Sequence, residues 1–190
     1  MNHLVQCLAG HDCSEPVVQL DLEVDQWRAA AVLIALIPRR EGYSVLLTRR
    51  SEHLREHAGQ ISFPGGRIDD GDVSAQAAAL REAQEEVGLD PERVELVGAM
   101  APYQTITGFI IYPFVGVVED PGELRPEPGE VAEIFEVPLD FLMNPVNHRP
   151  HIVDRGGRQY RLHAMPYKDY YIWGVTAAIL RQLYVILKNT

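Results

Sequence analysis

The stretch Gly65 to Leu89 reads GGRIDDGDVSAQAAALREAQEEVGL, and it decides the fold prediction. Its double glycine predicts a turn. The helix that follows is expected to begin with Asp72 or Ser74 as its N-cap, because short polar side chains cap helix N-termini. It is expected to run through Val87 and to end at the next glycine, which tolerates the left-handed conformation found just past a helix. The stretch therefore predicts a glycine-rich turn that leads into a helix.

Three carboxylates near the end of this predicted helix share one face. Glu82, Glu85 and Glu86 have the spacing i, i+3 and i+4. Like charges at this spacing destabilise a helix by roughly 0.2–0.5 kcal/mol per pair, so a positive partner is expected. Arg81 lies four residues before Glu85 and can pair with it. A divalent cation, Mg²⁺ or Mn²⁺, is the simplest partner for the others, because these ions prefer oxygen ligands. The alternative is a solvated acidic face used for protein contact.

The double glycine favours the metal interpretation. A Gly65-Gly66 turn that leads into a helix exposes backbone N–H groups, which can bind phosphate oxygens. A solvated helix face would not require such a turn. The acidic face and the glycine turn together predict a site for a phosphoanhydride, in which metal ions neutralise the diphosphate and the loop backbone helps to hold it.

The composition limits the class of protein. The chain has 190 residues, 46% of them hydrophobic, and a formal net charge of −10. This size predicts one domain with a full core, and the negative charge argues against a nucleic-acid binder, which would carry a basic face. The longest apolar run, residues 29–37, is too short to span a bilayer, which takes roughly 20 residues. Cys7 and Cys13 are expected to be free thiols. We therefore expect a cytoplasmic protein with no membrane partner.

The rest of the chain predicts mixed strands and helices. Pro113 predicts an edge strand or a bulge, because proline cannot donate to a strand ladder, and residues 144–157 predict a polar loop. The fold class is an α/β sandwich around a mixed sheet, with residues 1–28 as an arm packed on a domain of residues 29–190. The expected strands are 29–37, 43–48, 60–63, 94–100, 109–118, 131–137, 159–165 and 170–173, and the other expected helices are 138–143 and 175–187.

Two adjoining motifs resemble a known family. From Gly66, five residues lead to Asp72, and eight more lead to REAQEEVGL, which is similar to the box that defines Nudix hydrolases. The general box has a glutamate at position 72 and a spacer of seven residues. Both departures are shared by one branch of the superfamily, the coenzyme A pyrophosphatases. Residues 46–66, LLTRRSEHLREHAGQISFPGG, also match the upstream motif of that branch.

The resemblance implies a Nudix-type α/β/α sandwich and a Mg²⁺- or Mn²⁺-dependent pyrophosphohydrolase. Its substrate would be coenzyme A or an acyl-CoA, cleaved to 3′,5′-ADP and 4′-phosphopantetheine species. Its partner is thus a small molecule and not a nucleic acid, and a homodimer is plausible. The implied roles are metal binding by Glu82, Glu85 and Glu86, catalysis by Arg81, Glu85 and Glu86, and substrate binding by Arg50, Arg55, Phe63, Gly65 and Gly66.

Several alternatives stay open at this level. The chain could be a Nudix pyrophosphatase for another nucleoside diphosphate derivative, such as an ADP-sugar or a dinucleotide. It could also be a Nudix-fold binding module without catalysis. Phe63 could be a core aromatic, and the two arginines could be solvated loop charges. The general base is not identified, because its distance from the attacking water decides the choice; the candidates are Glu85, Glu86, Glu130 and Glu133.

Overall fold

A computed structural model describes residues 8, 26–54 and 56–188. The strands are β1 (Arg28–Arg39), β2 (Gly42–Arg50), β3 (Ile61–Ser62), β4 (Gly65–Arg67), β5 (Glu95–Ala99), β6 (Tyr103–Gln104), β7 (Phe109–Val117), β8 (Val131–Pro138), β9 (Arg149–Arg155), β10 (Arg158–Tyr167) and β11 (Tyr170–Trp173). The α-helices with described bounds are α1 (Ala75–Val87), α2 (Leu139–Met143) and α3 (Gly174–Lys188).

The largest sheet is mixed and is built around β1. Strand β1 runs parallel to β7 and antiparallel to β2 and β4. The order is β3-β2-β1-β7-β5, with β4 on β1, β6 on β7 and β8 on β2. Strands β9, β10 and β11 form a second, antiparallel sheet. The predicted α/β fold with a mixed sheet is confirmed.

Strand β1 is buried on both faces, which explains its long apolar run. Alternate residues pack against different helices, because successive side chains of a strand point to opposite sides. One buried cluster joins β1 to the alanines of α1, and the other joins it to the leucines and isoleucines of α3. The first cluster takes Ala31, Leu33, Ala35 and Ile37 from β1, and the second takes Ile34 and Leu36. The layers are therefore helix, sheet and helix.

The edge prediction made from Pro113 is wrong. Pro113 pairs with Val32 in the interior of the sheet. The Pro113 carbonyl accepts a hydrogen bond from Met100 N at 2.9 Å. The nitrogen of a strand residue points to the same side as its carbonyl, so the Pro113 nitrogen, which carries no hydrogen, faces the place where β5 ends at Ala99. The next strand on that side, β6, begins to pair with β7 at Tyr103. The missing N–H of Pro113 therefore lies at the gap between the end of β5 and the start of β6. The register shift of β5 against β7 also lies elsewhere, between Leu96 and Gly98.

The loop predicted at residues 144–157 is wrong in its second half. Strand β9 begins at Arg149 and pairs with β10 as an antiparallel hairpin. The turn is Gly156-Gly157, and both glycines have positive φ, 63° and 79°. A two-residue turn of this kind matches the twist of paired strands, which makes Gly-Gly a hairpin signal as well as a loop signal.

The predicted arm, residues 1–28, lies mostly outside the described residues. Leu8 is described and is 2% exposed. It packs beside Gly98, where an added Cβ would lie 2.7 Å from Leu8 Cβ. Among the helices that the structure describes, none is long and apolar enough to cross a membrane. The cytoplasmic location and the homodimer stay predictions.

Candidate active site

Helix α1 carries the predicted carboxylates and is capped at both ends. Ser74 is its N-cap, and the Ser74 side chain accepts a hydrogen bond from Ala77 N at 3.1 Å. Gly88 ends the helix with φ 69°, and its N–H donates to Gln84 O at 2.9 Å. The sequence prediction of both ends is therefore confirmed, with Ser74 as the capping residue.

The Glu86 carboxylate is buried against the glycine turn. Glu86 is 3% exposed, and its Oε2 accepts a hydrogen bond from Gly65 N at 3.1 Å. Arg50 Nη1 lies 3.5 Å from Glu86 Oε1. A Cβ at Gly65 would lie 2.4 Å from Ala31 O, so only glycine brings the backbone this close. The Gly65 amide therefore donates to the carboxylate, and phosphate binding by the Gly65-Gly66 backbone stays a prediction.

Glu82 lies beside Glu86 and packs on the next glycine. A Cβ added to Gly66 would lie 2.4 Å from Glu82 Oε2. The Glu82 side chain is 15% exposed, whereas that of Glu85 is 60% exposed. Two of the three carboxylates are thus enclosed between α1 and the Gly65-Gly66 backbone, and the third faces outward.

Arg81 connects these carboxylates to the loop before α1. It forms the predicted pair with Glu85, from Nη1 to Oε2 at 2.9 Å, and the same nitrogen donates to Glu82 Oε1 at 3.0 Å. Its main partner, however, is Asp72, with Nε–Oδ1 at 2.9 Å and Nη2–Oδ2 at 3.0 Å. Nη2 also donates to Arg67 O at 3.1 Å. The hydrogen bond to Asp72 is the main cause that raises the pKa of Arg81, and in return it lowers the pKa of Asp72.

Burial and neighbouring carboxylates raise the pKa values of Glu82 and Glu86. Burial raises the pKa of Glu86 to about 7, although Gly65 and Arg50 act in the opposite direction. Burial also raises the pKa of Glu82. The charge of Glu130 adds to both shifts. A cation placed between these groups would relieve both the desolvation and the repulsion.

The side chains suit a divalent metal in kind. Carboxylate oxygens are the ligands that Mg²⁺ and Mn²⁺ prefer, and Glu82 and Glu86 are adjacent with raised pKa values. Within the described ranges, no three His, Cys, Asp or Glu side chains form a ready-made ligand cluster, and Glu85 accepts a hydrogen bond from Arg81. The donor set fits a metal held by Glu82 and Glu86, with Glu85 as the predicted third ligand.

The family follows from a comparison of the whole sequence. The model of the NUDIX domain matches residues 27–154, which include the glycine turn, α1 and the carboxylates. The chain belongs to the Nudix family. It is 43% identical over 165 residues to a protein of Escherichia coli (strain K12) named "Uncharacterized Nudix hydrolase NudL", covering 87% of this chain and 85% of the relative. Nudix hydrolases act on phosphoanhydrides of small molecules and generally use divalent metals, and this member is an enzyme of that kind.

Solved structures show the same fold. A MutT/nudix family protein from Enterococcus faecalis has a TM-score of 0.56 at 15% identity, covering 90% of this chain and 66% of the other. A protein from Deinococcus radiodurans has a TM-score of 0.56 at 14% identity, covering 88% of this chain and 90% of the other. At this level of identity the likeness shows the Nudix fold alone.

The remaining predicted residues of this Nudix hydrolase fall in different places. Arg50 lies at the carboxylates, as described above. Phe63 is 2% exposed inside the cluster packed on α3, as a core aromatic is, and its role in substrate binding stays a prediction. Arg55 lies outside the described residues.

Glu133 is occupied by other partners. It forms an ion pair with Arg49, and Tyr170 donates a hydrogen bond from its hydroxyl to Glu133 Oε1 at 2.7 Å. These contacts, first that of Tyr170, lower the pKa of Glu133. Arg49 and Arg50 are consecutive on β2 and so point to opposite faces of the sheet, which places Glu133 on the far side from Glu86. A cleft of about 350 Å³ beside Arg49 and Tyr170 opens on that far side.

Proposed function

We propose that this Nudix hydrolase cleaves the diphosphate of coenzyme A or an acyl-CoA, with Mg²⁺ or Mn²⁺ bound by Glu82, Glu86 and Glu85. The products are 3′,5′-ADP and the 4′-phosphopantetheine species. The observation that supports diphosphate chemistry is the pair of enclosed carboxylates beside Arg50 and the glycine turn. The choice of coenzyme A is supported by the upstream motif at residues 46–66, which resembles that of the coenzyme A branch.

The chain's own residues bind and orient in this proposal. A bound divalent ion neutralises the diphosphate and lowers the pKa of an attacking water. Arg50 presents Nη1 at the carboxylates, where its planar fork suits phosphate oxygens. Gly65 N–H holds Glu86 in place, and Arg81 holds Glu82 and Glu85. Arg81 acts in this arrangement as a positioning residue.

Glu130 is the carboxylate best placed to accept the proton of the attacking water. Glu133 is held by Arg49 and Tyr170, and Glu85 is held by Arg81. Glu86 and Glu82 are assigned to the metal. Glu130 is exposed and close enough for its charge to raise the pKa of both Glu82 and Glu86. A general base needs both reach to the water and an open lone pair, and Glu130 is the base of this proposal because the other candidates are held by the partners named above.

The test is a substrate panel. Purified protein with Mg²⁺ is incubated with CoA, several acyl-CoAs, ADP-ribose, NADH and a dinucleoside polyphosphate, and the products are separated by chromatography. We expect CoA or an acyl-CoA to be cleaved fastest, with release of 3′,5′-ADP. Faster cleavage of ADP-ribose or a dinucleotide would instead assign the alternative Nudix pyrophosphatase activity. Glu86→Gln serves as the matched inactive protein in every reaction.

A further inference from the structure

Two arginines at one end of the central sheet contact the same aromatic ring. Arg28 begins β1 beside Phe109 of β7, and Arg67 ends β4 beside Ala30 of β1. The guanidinium carbon of Arg28 lies 4.0 Å from the centroid of the Phe109 ring, and that of Arg67 lies 5.9 Å from it. Three neighbouring strands thus bring the two side chains, here called the arginine pair, to one side of the sheet.

The arginine pair carries charge that nothing described neutralises. Arg28 and Arg67 are both exposed, and neither forms an ion pair with a carboxylate in the part of the chain that the structure describes. Arg28 donates from Nη2 to Thr107 O at 3.2 Å, and among residues 26–54 and 56–188 its other donors have no hydrogen-bond acceptor. On a protein of net charge −10, two such guanidinium groups over one ring form a local site for an anion.

The turn beneath Arg28 is fixed before any ligand arrives. Thr105 is 3% exposed, and its Oγ1 accepts a hydrogen bond from Phe109 N at 2.9 Å. The same hydroxyl lies 2.9 Å from Thr107 Oγ1. Gly108 closes the turn with φ 82°, and its N–H donates to Thr105 O at 3.2 Å. The ring and the carbonyl that hold Arg28 are therefore preorganised, which lowers the entropy cost of binding.

Strand β4 places the arginine pair next to the enclosed carboxylates. Gly66 faces Glu82, and the following residue, Arg67, points to the opposite side. Among the described strands, β4 pairs with β1 alone, and its outer edge bonds to α1 through Gly65 N–H to Glu86 and through Arg67 O from Arg81 Nη2. The backbone of Arg67 is thus joined through Arg81 to Glu82. A ligand that passes around the Arg67 end of β4 would bring one anionic group to Glu82 and its metal and a second to the arginine pair. A diphosphate and a phosphomonoester on the adjoining ribose are two such groups.

We propose that Arg28 and Arg67 bind a phosphomonoester that the substrate carries on the ribose next to its diphosphate. The arginine pair then makes the enzyme select nucleotides with a 3′-phosphate over the same nucleotides without it. This inference rests on the proposed function, because it names the residues that would recognise the nucleotide half of coenzyme A. Arg50, for which the family resemblance implies substrate binding, lies instead at Glu86.

The test is direct binding, measured by isothermal titration calorimetry with adenosine 3′,5′-bisphosphate and with AMP in Mg²⁺. We expect the wild-type protein to bind the bisphosphate about tenfold or more tightly than AMP, because hydrogen bonds to a charged group are stronger than those between neutral groups. Arg28→Gln and Arg67→Gln should each lose most of this preference and leave AMP binding unchanged. Arg125→Gln is the matched control, since Arg125 is exposed and pairs only with exposed Glu123 among the described residues.

Three results would overturn the inference: equal affinity of the wild type for both nucleotides, binding of neither, or an equal loss of both in the variants. Circular dichroism checks that each variant is folded, and Arg28→Lys and Arg67→Lys repeat the measurement with the charge retained. Because binding is measured without turnover, a protein that fails to cleave CoA refutes the proposed function and still tests the arginine pair. If CoA is cleaved, the Gln variants should lower kcat/KM for CoA and not for 3′-dephospho-CoA.

Discussion

Arg81 and Asp72 form a two-point ion pair that fastens the loop before α1 to the middle of that helix. The two N–O distances are 2.9 and 3.0 Å, and the same guanidinium reaches Glu82 and Glu85. The Asp72 side chain is 7% exposed. Asp72, which lies outside the helix, therefore positions the carboxylates of Glu82 and Glu85 through Arg81.

Replacing Asp72 should reduce activity more than stability. In Asp72→Asn one half of the ion pair is lost, so Arg81 no longer holds Glu82 and Glu85 in place. Losing such a supporting partner typically costs 10–100-fold in metal affinity or activity. We expect kcat/KM to fall by about that factor, with a small change in melting temperature. Asp70→Asn is the control, because Asp70 is exposed in the same loop. A variant with wild-type kcat/KM would show that the pair has no supporting role.

The metal-free protein should lose stability as the pH rises from about 4.5 to 7. The pKa of Glu86 is about 7 in the folded protein against an ordinary value of 4.5, so the folded state binds this proton more tightly. The resulting stability is fully present below about pH 4.5 and is lost as the pH rises through 7, and it amounts to about 3 kcal/mol. Glu86→Gln stays neutral throughout. In EDTA its melting temperature should exceed that of the wild type at pH 8, with the gap closing toward pH 4.5.

The control for this pH experiment is Glu85→Gln on the same helix. The Glu85 side chain is 60% exposed, so its replacement should leave the pH profile of the melting temperature close to that of the wild type. A Glu86→Gln protein that melts below the wild type at pH 8 in EDTA would contradict the burial argument.

Mn²⁺ should bind at a saturable site that depends on the enclosed carboxylates. A ligand that binds only the folded state stabilises it by about 2.7 kcal/mol at one hundred times its Kd. We expect Mn²⁺ to raise the melting temperature of the wild type and to do so much less for Glu82→Gln. Glu92→Gln, an exposed acid outside α1, should respond like the wild type. Calorimetry without a saturable Mn²⁺ site would favour the acidic helix as a protein-contact surface.

Glu130, just before β8, and Glu133, within β8, should differ sharply in catalysis. Glu130→Gln removes the proposed general base, which typically contributes 10²–10⁴-fold, so kcat should fall by about 100-fold or more. Glu133→Gln should keep kcat within a few fold, because Glu133 already serves Arg49 and Tyr170. Initial rates with saturating substrate and Mg²⁺ measure both. A larger loss of kcat in Glu133→Gln than in Glu130→Gln would instead identify Glu133, on the other face of β2, as the general base.

Local signals in the sequence predicted the helix of the site well. Ser74 and Gly88 have side chains and backbone freedom suited to helix ends, and the spacing of Glu82 and Glu86 follows from helix geometry. The sequence could not show that Glu86 would be buried, because its burial depends on β4 crossing the helix at Gly65. The ion pair of Arg81 with Asp72 could not be predicted either, because the two residues are nine positions apart in the sequence.

The fold predictions failed where two structures share one local signal. Gly156-Gly157 fits both a loop and a tight hairpin, and the pairing of β9 with β10 decided the outcome. Pro113 usually marks an edge, but its tolerance here depends on where β5 ends, which is a nonlocal property. Phe63 fits both a binding site and a core, and only tertiary packing shows its burial.

The shortness of β4 has a consequence for how this enzyme can diverge. Gly65, Gly66 and Arg67 alternate in direction, so inserting or deleting one residue among them would exchange the two sides. Arg67 would then face α1, and the close contacts of the glycines with Ala31 and Glu82 would be filled by a side chain. Substitutions of Arg67 and of Glu82 would therefore change the arginine pair and the enclosed carboxylates separately, whereas a change of length in these three residues would disrupt both at once.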